Sequence, residues 1–190
     1  MKTGLFFGSF NPIHIGHTAL ASYIVEQGLV DELWFVVSPH NPLKEKDGLL
    51  NAGLRLKMVQ KAIEGYAKFR ACDVEFSLQK PSYTIDTLRY LRENFPEKQF
   101  SVIMGADSLA DINKWKDYKE ILAEYDLLVY PRPNVTITDF PQNITILNNA
   151  PLLDISATFV REQLQKGHDV RYFVPNGVGE LLTRDDTARP

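Results

Sequence analysis

Two histidines, His14 and His17, lie at a predicted strand–turn–helix junction near the start of the chain. The apolar run Leu5-Phe6-Phe7 predicts a strand, and Thr18 to Gln27 has the pattern of an amphipathic helix that Gly28 ends. The N-terminus of a helix carries unpaired backbone N–H groups and a partial positive charge, so it attracts phosphate. The residue types and their spacing therefore predict a phosphate-binding turn.

The residues between this strand and helix suit a tight turn around a ligand. Gly8 and Gly16 remove side chains where a ligand or another backbone must come close, and Asn11-Pro12 is a turn signal. The two histidines are also spaced as metal ligands on one helical face would be. No cysteine and no third histidine or carboxylate at ligand spacing lies nearby, so metal binding is the weaker interpretation.

A second candidate surface for phosphate lies near the other end of the chain. Ser156 has the character of a helix N-cap, and Thr158 and Arg161 follow within the first turn and a half. The predicted helix runs from Ser156 to Lys166, and Gly167 ends it. An ordinary capped helix with a solvated arginine is equally compatible with these residues.

Composition favours a soluble globular protein with no disulfide. The chain has 190 residues, enough for a single domain over 1–190, with 44% hydrophobic and 24% charged residues. Its net charge of −3 gives no basic footprint for nucleic acid. Cys72 is the only cysteine, and neither a signal peptide nor a membrane span is evident. We expect a cytoplasmic protein without nucleic-acid or membrane partners.

Strand and helix patterns alternate along the chain. Further strands are predicted at Leu33–Val37, at the alternating Val74, Phe76 and Leu78, and at Phe100–Met104, Leu127–Tyr130 and Ile144–Leu147. Helical spacing of apolar residues occupies Leu54–Tyr66, Ile85–Phe95 and Tyr118–Leu122, and Asn176 is a candidate cap for a last short helix at Glu180–Leu182. This alternation predicts an α/β fold, a Rossmann-like, doubly wound parallel sheet with helices on both faces.

Polar residues follow each predicted strand at its carboxyl end. These are His14 and His17, Lys44, Thr84, Asp107, Arg132 and Ser156. In open parallel sheets, ligands bind outside the carboxyl ends of the strands, at the point where the strand order reverses. The chain lacks a G-x-G-x-x-G, a P-loop and a G-x-S-x-G element, so any ATP would bind at the histidine turn.

The turn and the late helix both carry an extended motif. Gly8 to His17 reads G-x-F-x-P-x-H-x-G-H, and Ile155 to Arg161 reads I-S-A-T-x-x-R. Together they resemble the H-x-G-H nucleotidyltransferases, which include nicotinate-mononucleotide and phosphopantetheine adenylyltransferases and, more distantly, class I aminoacyl-tRNA synthetases. Many members carry Asp where this chain has Asn11.

Three further segments resemble the nicotinate-mononucleotide branch of that family. They are Pro81 to Leu88 with its Ser-Tyr-Thr, Gly105 to Leu109 followed by Trp115, and the Tyr130-Pro131-Arg132-Pro133 turn. The resemblance runs from Gly4 to about Arg161. One motif departs: the family's P-P-H-K loop appears as Asn41-Pro42-Leu43-Lys44, which keeps the lysine but replaces the histidine with Leu43.

The resemblance implies transfer of the adenylyl group of ATP to nicotinate mononucleotide, with Mg²⁺ accompanying ATP. It implies catalytic roles for His14, His17, Lys44 and Arg161. The implied ATP-binding residues are Gly8, Ser9, Phe10, His14, Gly16, His17, Gly105, Asp107, Ile155, Ser156, Thr158 and Arg161. Those implied for the mononucleotide are Ser9, Lys44, Tyr83, Thr84, Trp115, Lys116 and Arg132. No protein metal site is expected, and homo-oligomer formation stays open.

Several alternatives remain at this stage. The second substrate could be nicotinamide mononucleotide or phosphopantetheine, and a non-catalytic nucleotide-binding regulator is the rival outside this class. Trp115 could be a packing residue, Thr84 and Asp107 could be helix N-caps, and Lys44 could be a solvated loop charge.

Overall fold

Six parallel strands form one sheet in the computed structural model, which describes residues 1–39, 48–133, 135 and 142–182. The strands are β1 Lys2–Gly8, β2 Glu32–Val37, β3 Phe69–Cys72, β4 Gln99–Gly105, β5 Asp126–Tyr130 and β6 Ile144–Ile146. Their order across the sheet is β3-β2-β1-β4-β5-β6. The predicted open parallel sheet is confirmed.

Helices cover both faces of this sheet. They are α1 Ile15–Glu26, α2 Ala52–Ala62, α3 Thr84–Asn94, α4 Ala106–Ala110, α5 Tyr118–Glu124 and α6 Ala157–Gln165. Buried residues of α1, α2 and α6 share one apolar cluster, whereas those of α3, α4 and α5 share a second. The fold is therefore doubly wound, as the alternating pattern predicts.

The central strands are apolar on both faces because each face packs against helices. In β1, Leu5 belongs to one cluster and its neighbour Phe6 to the other. In β2, the five residues from Leu33 to Val37 are all buried. A parallel sheet covered on both sides requires such continuous apolar runs.

The strand order reverses between β1 and β4, which lie side by side at the centre of the sheet. The connection after β1 leads to one side of the sheet and the connection after β4 to the other, so a crevice opens beyond their carboxyl ends. The histidine turn follows β1 directly, and α4 follows β4 without a gap. The fold thus places both segments at this crevice.

The predicted strand over Val74, Phe76 and Leu78 is wrong. The third strand lies earlier, at Phe69–Cys72, and Val74–Phe76 forms a turn of 3-10 helix. The alternation misleads because Glu75, between the two apolar residues, is the most buried of the three. Val74 and Phe76 contact different clusters instead of sharing one face.

Several helix boundaries also differ from the predictions. Helix α1 begins at Ile15, three residues before Thr18, so His17 lies inside its first turn. Helix α2 ends at Ala62, short of Tyr66. The last short helix is a 3-10 turn at Gly179–Leu181 whose N-cap is Val178, so the predicted cap at Asn176 is wrong.

Other boundaries match the predictions. Gly28 and Gly167 follow α1 and α6 with φ of +68° and +79°, the left-handed conformation that lets glycine end a helix. None of the helices in the described part of the chain has the length and apolar run that spanning a bilayer would need.

Candidate active site

A cavity of about 920 Å³ lies beyond the carboxyl ends of β1, β4 and β5. Nearly all of the residues singled out in the sequence line it: Gly8, Ser9, Phe10, His14, Gly16, His17, Tyr83, Thr84, Asp107, Trp115, Lys116, Arg132, Ile155, Ser156, Thr158 and Arg161. Gly105 is not a lining residue; it is the N-cap of α4. Lys44 and the Asn41–Lys44 motif lie outside the described residues.

Two opposite parts of this lining carry most of the chemistry. We call the turn from Gly8 to His17, together with Arg161, the histidine wall. We call Tyr83, Thr84, Trp115 and Lys116 the tryptophan wall. The first follows β1 and is completed by α6, and the second joins the start of α3 to the segment between α4 and α5.

The two histidines form one unit at the start of α1. His14 is the N-cap, and its backbone N–H donates to Nδ1 of His17 at 3.2 Å. The two rings stack with their centroids 3.7 Å apart. Because His17 Nδ1 accepts a hydrogen bond, the proton of the neutral ring lies on Nε2, which makes that atom a donor.

His14 is neutral at physiological pH. Its side chain is only 7% exposed. Burial, and secondly the positive charge of Arg132, lower the pKa of His14 to about 4. Its Nδ1 is buried and has no hydrogen-bond partner in the described part of the chain. A buried polar atom without a partner is costly, so this one is suited to meet a ligand.

The glycines of the turn make room for the neighbouring rings of the wall itself. A Cβ on Gly8 would lie 2.9 Å from the ring of Phe10, and one on Gly16 would lie 3.0 Å from Nδ1 of His14. Phe10 has a left-handed backbone, with φ of 45°, and its buried ring packs edge-on against His17 at 5.1 Å. The glycines therefore let Phe10 and His14 fold back against the turn.

Arg161 joins the late helix to the histidine turn. Its Nη1 donates to the carbonyl oxygen of Asn11 at 2.7 Å, and its Nη2 to Oγ1 of Thr158 at 3.3 Å. Partial burial lowers the pKa of the guanidinium. Ser156 is the N-cap of α6, as predicted, and its hydroxyl accepts the N–H of Phe159 at 3.0 Å. The two sequence motifs thus meet in one wall.

Asn11 fastens the turn to the residues just before α2. Its Nδ2 donates to the carbonyl of Gly48 at 2.8 Å, and its Oδ1 accepts the N–H of Leu50 at 3.0 Å. An amide supplies both a donor and an acceptor, whereas an ionised carboxylate supplies acceptors only. The residue shapes the turn, as predicted from the sequence.

The tryptophan wall is more exposed and is held by ion pairs. Nζ of Lys116 lies 2.8 Å from both carboxylate oxygens of Asp86, and 5.1 Å from the ring centre of Tyr83. Trp115 is half-buried, so it both packs on the core and offers surface to the cavity. The backbone N–H of Trp115 donates to the carbonyl oxygen of Ile112. The backbone N–H of Lys116 is therefore the candidate in this segment for donating to a ligand.

Two proposed helix caps are wrong. The N-cap of α3 is Tyr83, so Thr84 is its first residue, and the N-cap of α4 is Gly105, so Asp107 lies in its first turn. Nε of Arg132 lies 3.5 Å from Oδ1 of Asp107. A Cβ on Gly105 would lie 2.3 Å from that same oxygen, so the glycine gives Asp107 its place at the cavity.

Sequence reasoning missed two buried polar residues of the cavity lining. Glu75 is 2% exposed and accepts the hydroxyl of Thr87 at 3.0 Å. Burial raises the pKa of its carboxyl group, and hydrogen bonds from Ser38 and Thr87 oppose that change. Ser82 is also buried, and its hydroxyl has no partner among the residues described. The predicted strand placed Glu75 on an exposed face, so no sign of its burial was visible in the sequence. Ser82 could have been found, because it belongs to the Ser-Tyr-Thr segment.

No cluster of three or more His, Cys, Asp or Glu side chains that could hold a metal ion occurs in the described ranges. Cys72 is buried, does not line the cavity, and has a pKa raised by burial. A thiol in that environment is a poor nucleophile. The described cavity lining carries four basic side chains and three carboxyl groups: Lys114, Lys116, Arg132 and Arg161, and Glu75, Asp107 and Asp154.

The histidine turn at the switch point of a parallel sheet, with Arg161 of α6 bonded to it, agrees with the resemblance to the H-x-G-H nucleotidyltransferases noted in the sequence. The chain matches the family model described as "Cytidylyltransferase-like" over residues 5–163. It is 48% identical over 175 residues to "Probable nicotinate-nucleotide adenylyltransferase" of Bacteroides fragilis, covering 91% of this chain and 87% of that one. The corresponding protein of Cytophaga hutchinsonii is 46% identical, with 96% and 95% covered.

The chain therefore belongs to the cytidylyltransferase-like family and, within it, to the group of the nicotinate-nucleotide adenylyltransferases. Solved structures agree on the fold. The structure "Plasmodium falciparum nicotinic acid mononucleotide adenylyltransferase complexed with NaAD" superposes with a TM-score of 0.80 at 22% identity, covering 95% of this chain and 93% of that one. The resemblance noted in the sequence is confirmed.

Proposed function

We propose that this protein transfers the adenylyl group of ATP to nicotinate mononucleotide, which gives nicotinate adenine dinucleotide and pyrophosphate for NAD biosynthesis. The observation that carries the proposal is the bond between Arg161 and Asn11. It joins the two motifs, 150 residues apart, into one wall of a single cavity at the switch point. Membership of the adenylyltransferase group supports the choice of both substrates.

The reaction needs no covalent intermediate on the protein. A phosphate oxygen of the mononucleotide attacks the α-phosphorus of ATP, and the bond from that phosphorus to the bridging oxygen of pyrophosphate breaks. The nucleophile is already an anion at neutral pH, so no strong base is required. Catalysis then consists of positioning the two substrates and stabilising the charge that develops on the phosphate oxygens.

We assign His17 to the α-phosphate, because its Nε2–H donor lies at the start of α1, where helix dipole and side chain act together. His14 enters the reaction neutral, and we assign it with His17 to the ATP phosphates. Arg161 keeps donors beyond its bond to Asn11, and its planar fork suits the leaving pyrophosphate. Lys44 is proposed to hold the leaving pyrophosphate together with Arg161.

Mg²⁺ is proposed to enter with ATP, where it neutralises phosphate charge. We assign no side-chain site to this ion, because Mg²⁺ bound with ATP would commonly be held by phosphate oxygens and water. Gly8, Ser9, Phe10, Gly16, Gly105, Asp107, Ile155, Ser156 and Thr158 are proposed to shape the remainder of the ATP site.

The tryptophan wall is proposed to bind the pyridine ring. The face of Trp115 is suited to stacking, and the N–H groups at the start of α3 and at Lys116 are suited to the ring carboxylate. The other residues proposed to bind the mononucleotide are Tyr83, Thr84, Ser9 and Arg132. A single domain and a cytoplasmic location stay predictions, and homo-oligomer formation stays open.

The test is the fate of ATP labelled at its α-phosphorus, offered with nicotinate mononucleotide, nicotinamide mononucleotide or phosphopantetheine. We expect the label in a dinucleotide, with equimolar pyrophosphate, and most efficiently with the nicotinate substrate. Preferred transfer to phosphopantetheine would reassign the substrate. Absence of transfer to all three acceptors would favour the nucleotide-binding regulator.

A further inference from the structure

Arg55 is an arginine in helix α2 that is completely buried, with 0% exposure, and that does not line the cavity. It lies on the inward face of the helix together with Met58 and Val59, three and four residues later. To the residues that the structure describes, its guanidinium donates four hydrogen bonds, and each of these goes to a main-chain carbonyl oxygen.

These carbonyls belong to three separate segments around the site. Nη1 reaches Ser9 of the histidine turn at 2.5 Å and Ser38 after β2 at 2.8 Å. Nη2 reaches Pro39 at 2.9 Å, and Nε reaches Leu50, just before α2, at 2.9 Å. The planar fork of arginine can hold several acceptors at fixed angles, which a lysine cannot.

Stability alone gives a poor account of this residue. Removing a cation from water is costly, and well-packed apolar residues in place of buried charges are often neutral or stabilising. Carbonyl oxygens offset part of the cost through charge-assisted hydrogen bonds. Burial lowers the pKa of the guanidinium to about 10, so the group still carries its charge at neutral pH.

We propose that Arg55 is a positioning residue for adenylyl transfer: it fixes the carbonyl of Ser9, and with it the histidine turn, relative to the end of β2 and the start of α2. The inference rests on the proposed function, since it assigns a residue to that same site. Asn11 supports the same arrangement, because it ties the turn to Gly48 and Leu50.

Arg55 acts on the reaction through the placement of His17. The bond to Ser9 O lies eight residues before His17, and the intervening turn is packed by Phe10 against both Phe6 and His17. A displacement of about 1 Å in a catalytic group can cost on the order of a hundredfold in rate. The rival explanation is that Arg55 only stabilises the packing of α2.

The experiment compares Arg55→Lys with Val59→Ala in the full chain. Val59 is fully buried in the same helix, so its truncation lowers stability without touching the carbonyl cluster. For each variant, kcat and both KM values are measured by pyrophosphate release, and the folded fraction by thermal unfolding. Arg55→Lys is also combined with His17→Ala.

We expect Arg55→Lys to lower kcat per folded molecule at least about tenfold, while Val59→Ala stays within about twofold. In the His17→Ala background, we expect Arg55→Lys to cost less than about threefold, since two residues that act as a unit are not additive. Equal losses in both backgrounds, or losses that follow the folded fraction alone, would overturn the proposal.

If Arg55→Lys does not fold, Arg55→Gln is compared in the same way, in a stabilising osmolyte that favours the compact state. Failure of the proposed function is seen separately. In that case the unsubstituted protein and Val59→Ala release no pyrophosphate from ATP and nicotinate mononucleotide, whatever happens at Arg55.

Discussion

The histidine wall and the tryptophan wall face the same cavity, but different forces hold them. Main-chain hydrogen bonds and buried rings fix the first: Asn11, Arg55 and Arg161 each bond to a backbone atom of another segment or of the turn itself. Exposed ion pairs such as Lys116 with Asp86 hold the second. Salt screens buried and partly buried contacts much less than exposed ones, and exposed ion pairs contribute little to stability.

This difference suits the two tasks that we assign. Transition-state stabilisation needs donors that are already in place, so it profits from the buried wall. Recognition of a flat ring with a carboxylate needs a stacking surface and backbone donors, which survive changes in neighbouring side chains. We therefore expect substitutions at the two histidines of the turn to change turnover. Substitutions at Arg161 and in the tryptophan wall should change the apparent affinity for one substrate each, ATP and the mononucleotide respectively.

The largest effect is expected at His17. His17→Ala removes the donor that we assign to the α-phosphate, so kcat should fall by roughly 10²–10³, the usual cost of losing a transition-state donor. His17→Asn, which keeps an acceptor at the place of Nδ1, controls for loss of the bond from the N–H of His14. Near-normal turnover in both folded variants would contradict the assignment.

His14 should make the stability of the protein depend on pH. Its pKa is about 4 in the folded chain and 6.5 ordinarily, so the unfolded chain binds its proton first as the pH falls. The neutral histidine imposes no penalty above pH 6.5, and stability is lost progressively between pH 6.5 and about 4. The loss is about 3 kcal/mol, since one unit of pKa difference corresponds to about 1.4 kcal/mol.

The measurement for His14 is the free energy of unfolding in denaturant at several pH values, for the unsubstituted protein and for His14→Asn. Asparagine is a favourable N-cap, so the helix start should survive. Only the difference between the two curves is used, because Glu75, with its raised pKa, contributes with the opposite sign. Parallel curves across this range would show that His14 is not held neutral by burial.

A smaller effect is expected at Arg161, and it should concern ATP alone. Arg161→Lys keeps the charge but loses the fork that spans Asn11, Thr158 and the leaving phosphates. One lost charge-assisted hydrogen bond corresponds to roughly a tenfold rise in KM for ATP. The KM for the mononucleotide should change less than about twofold. Arg92→Lys, an exposed residue paired with Glu124, is the matched control.

The smallest effect is expected at the ion pair of the tryptophan wall. Asp86→Asn removes the partner of Lys116 and also the contact of Asp86 with Arg89 at 3.5 Å; an exposed pair contributes at most about 1 kcal/mol. The variant should unfold within about that margin of the unsubstituted protein, and its KM for the mononucleotide should rise only slightly. A large loss of turnover would show that this ion pair takes part in the reaction.

The sequence predicted the fold well because the strands are apolar and the helices are amphipathic over most of their length. The prediction from the sequence failed where a polar residue is buried or where a residue that favours a helix cap lies elsewhere in the helix. Glu75 lies between Val74 and Phe76, and this alternation of apolar and charged residues is typical of a half-buried strand. The segment is instead a 3-10 helix in which Glu75 is buried. Thr84 and Asp107 have side chains that favour caps, yet Tyr83 and Gly105 hold those positions, because tertiary contacts outweigh local preference.

The site was predictable where residues are adjacent in sequence. His14, His17 and the Ser156 cap follow from local patterns, and the structure brings them together. Arg55 could not be assigned in this way, since three of its described acceptors, the carbonyls of Ser9, Ser38 and Pro39, lie in segments at least 16 residues away. The one local signal is its helical spacing with Met58 and Val59, which places a charged residue on the buried face of α2.

The division between the two walls is tested most directly by kcat/KM for nicotinate and nicotinamide mononucleotides, measured side by side. Two backbone N–H donors favour a carboxylate and have no partner for an amide NH₂, so we predict a preference for nicotinate of at least about a hundredfold. His17→Ala should lower both values alike and leave their ratio unchanged. Comparable kcat/KM values in the unsubstituted protein would contradict the account.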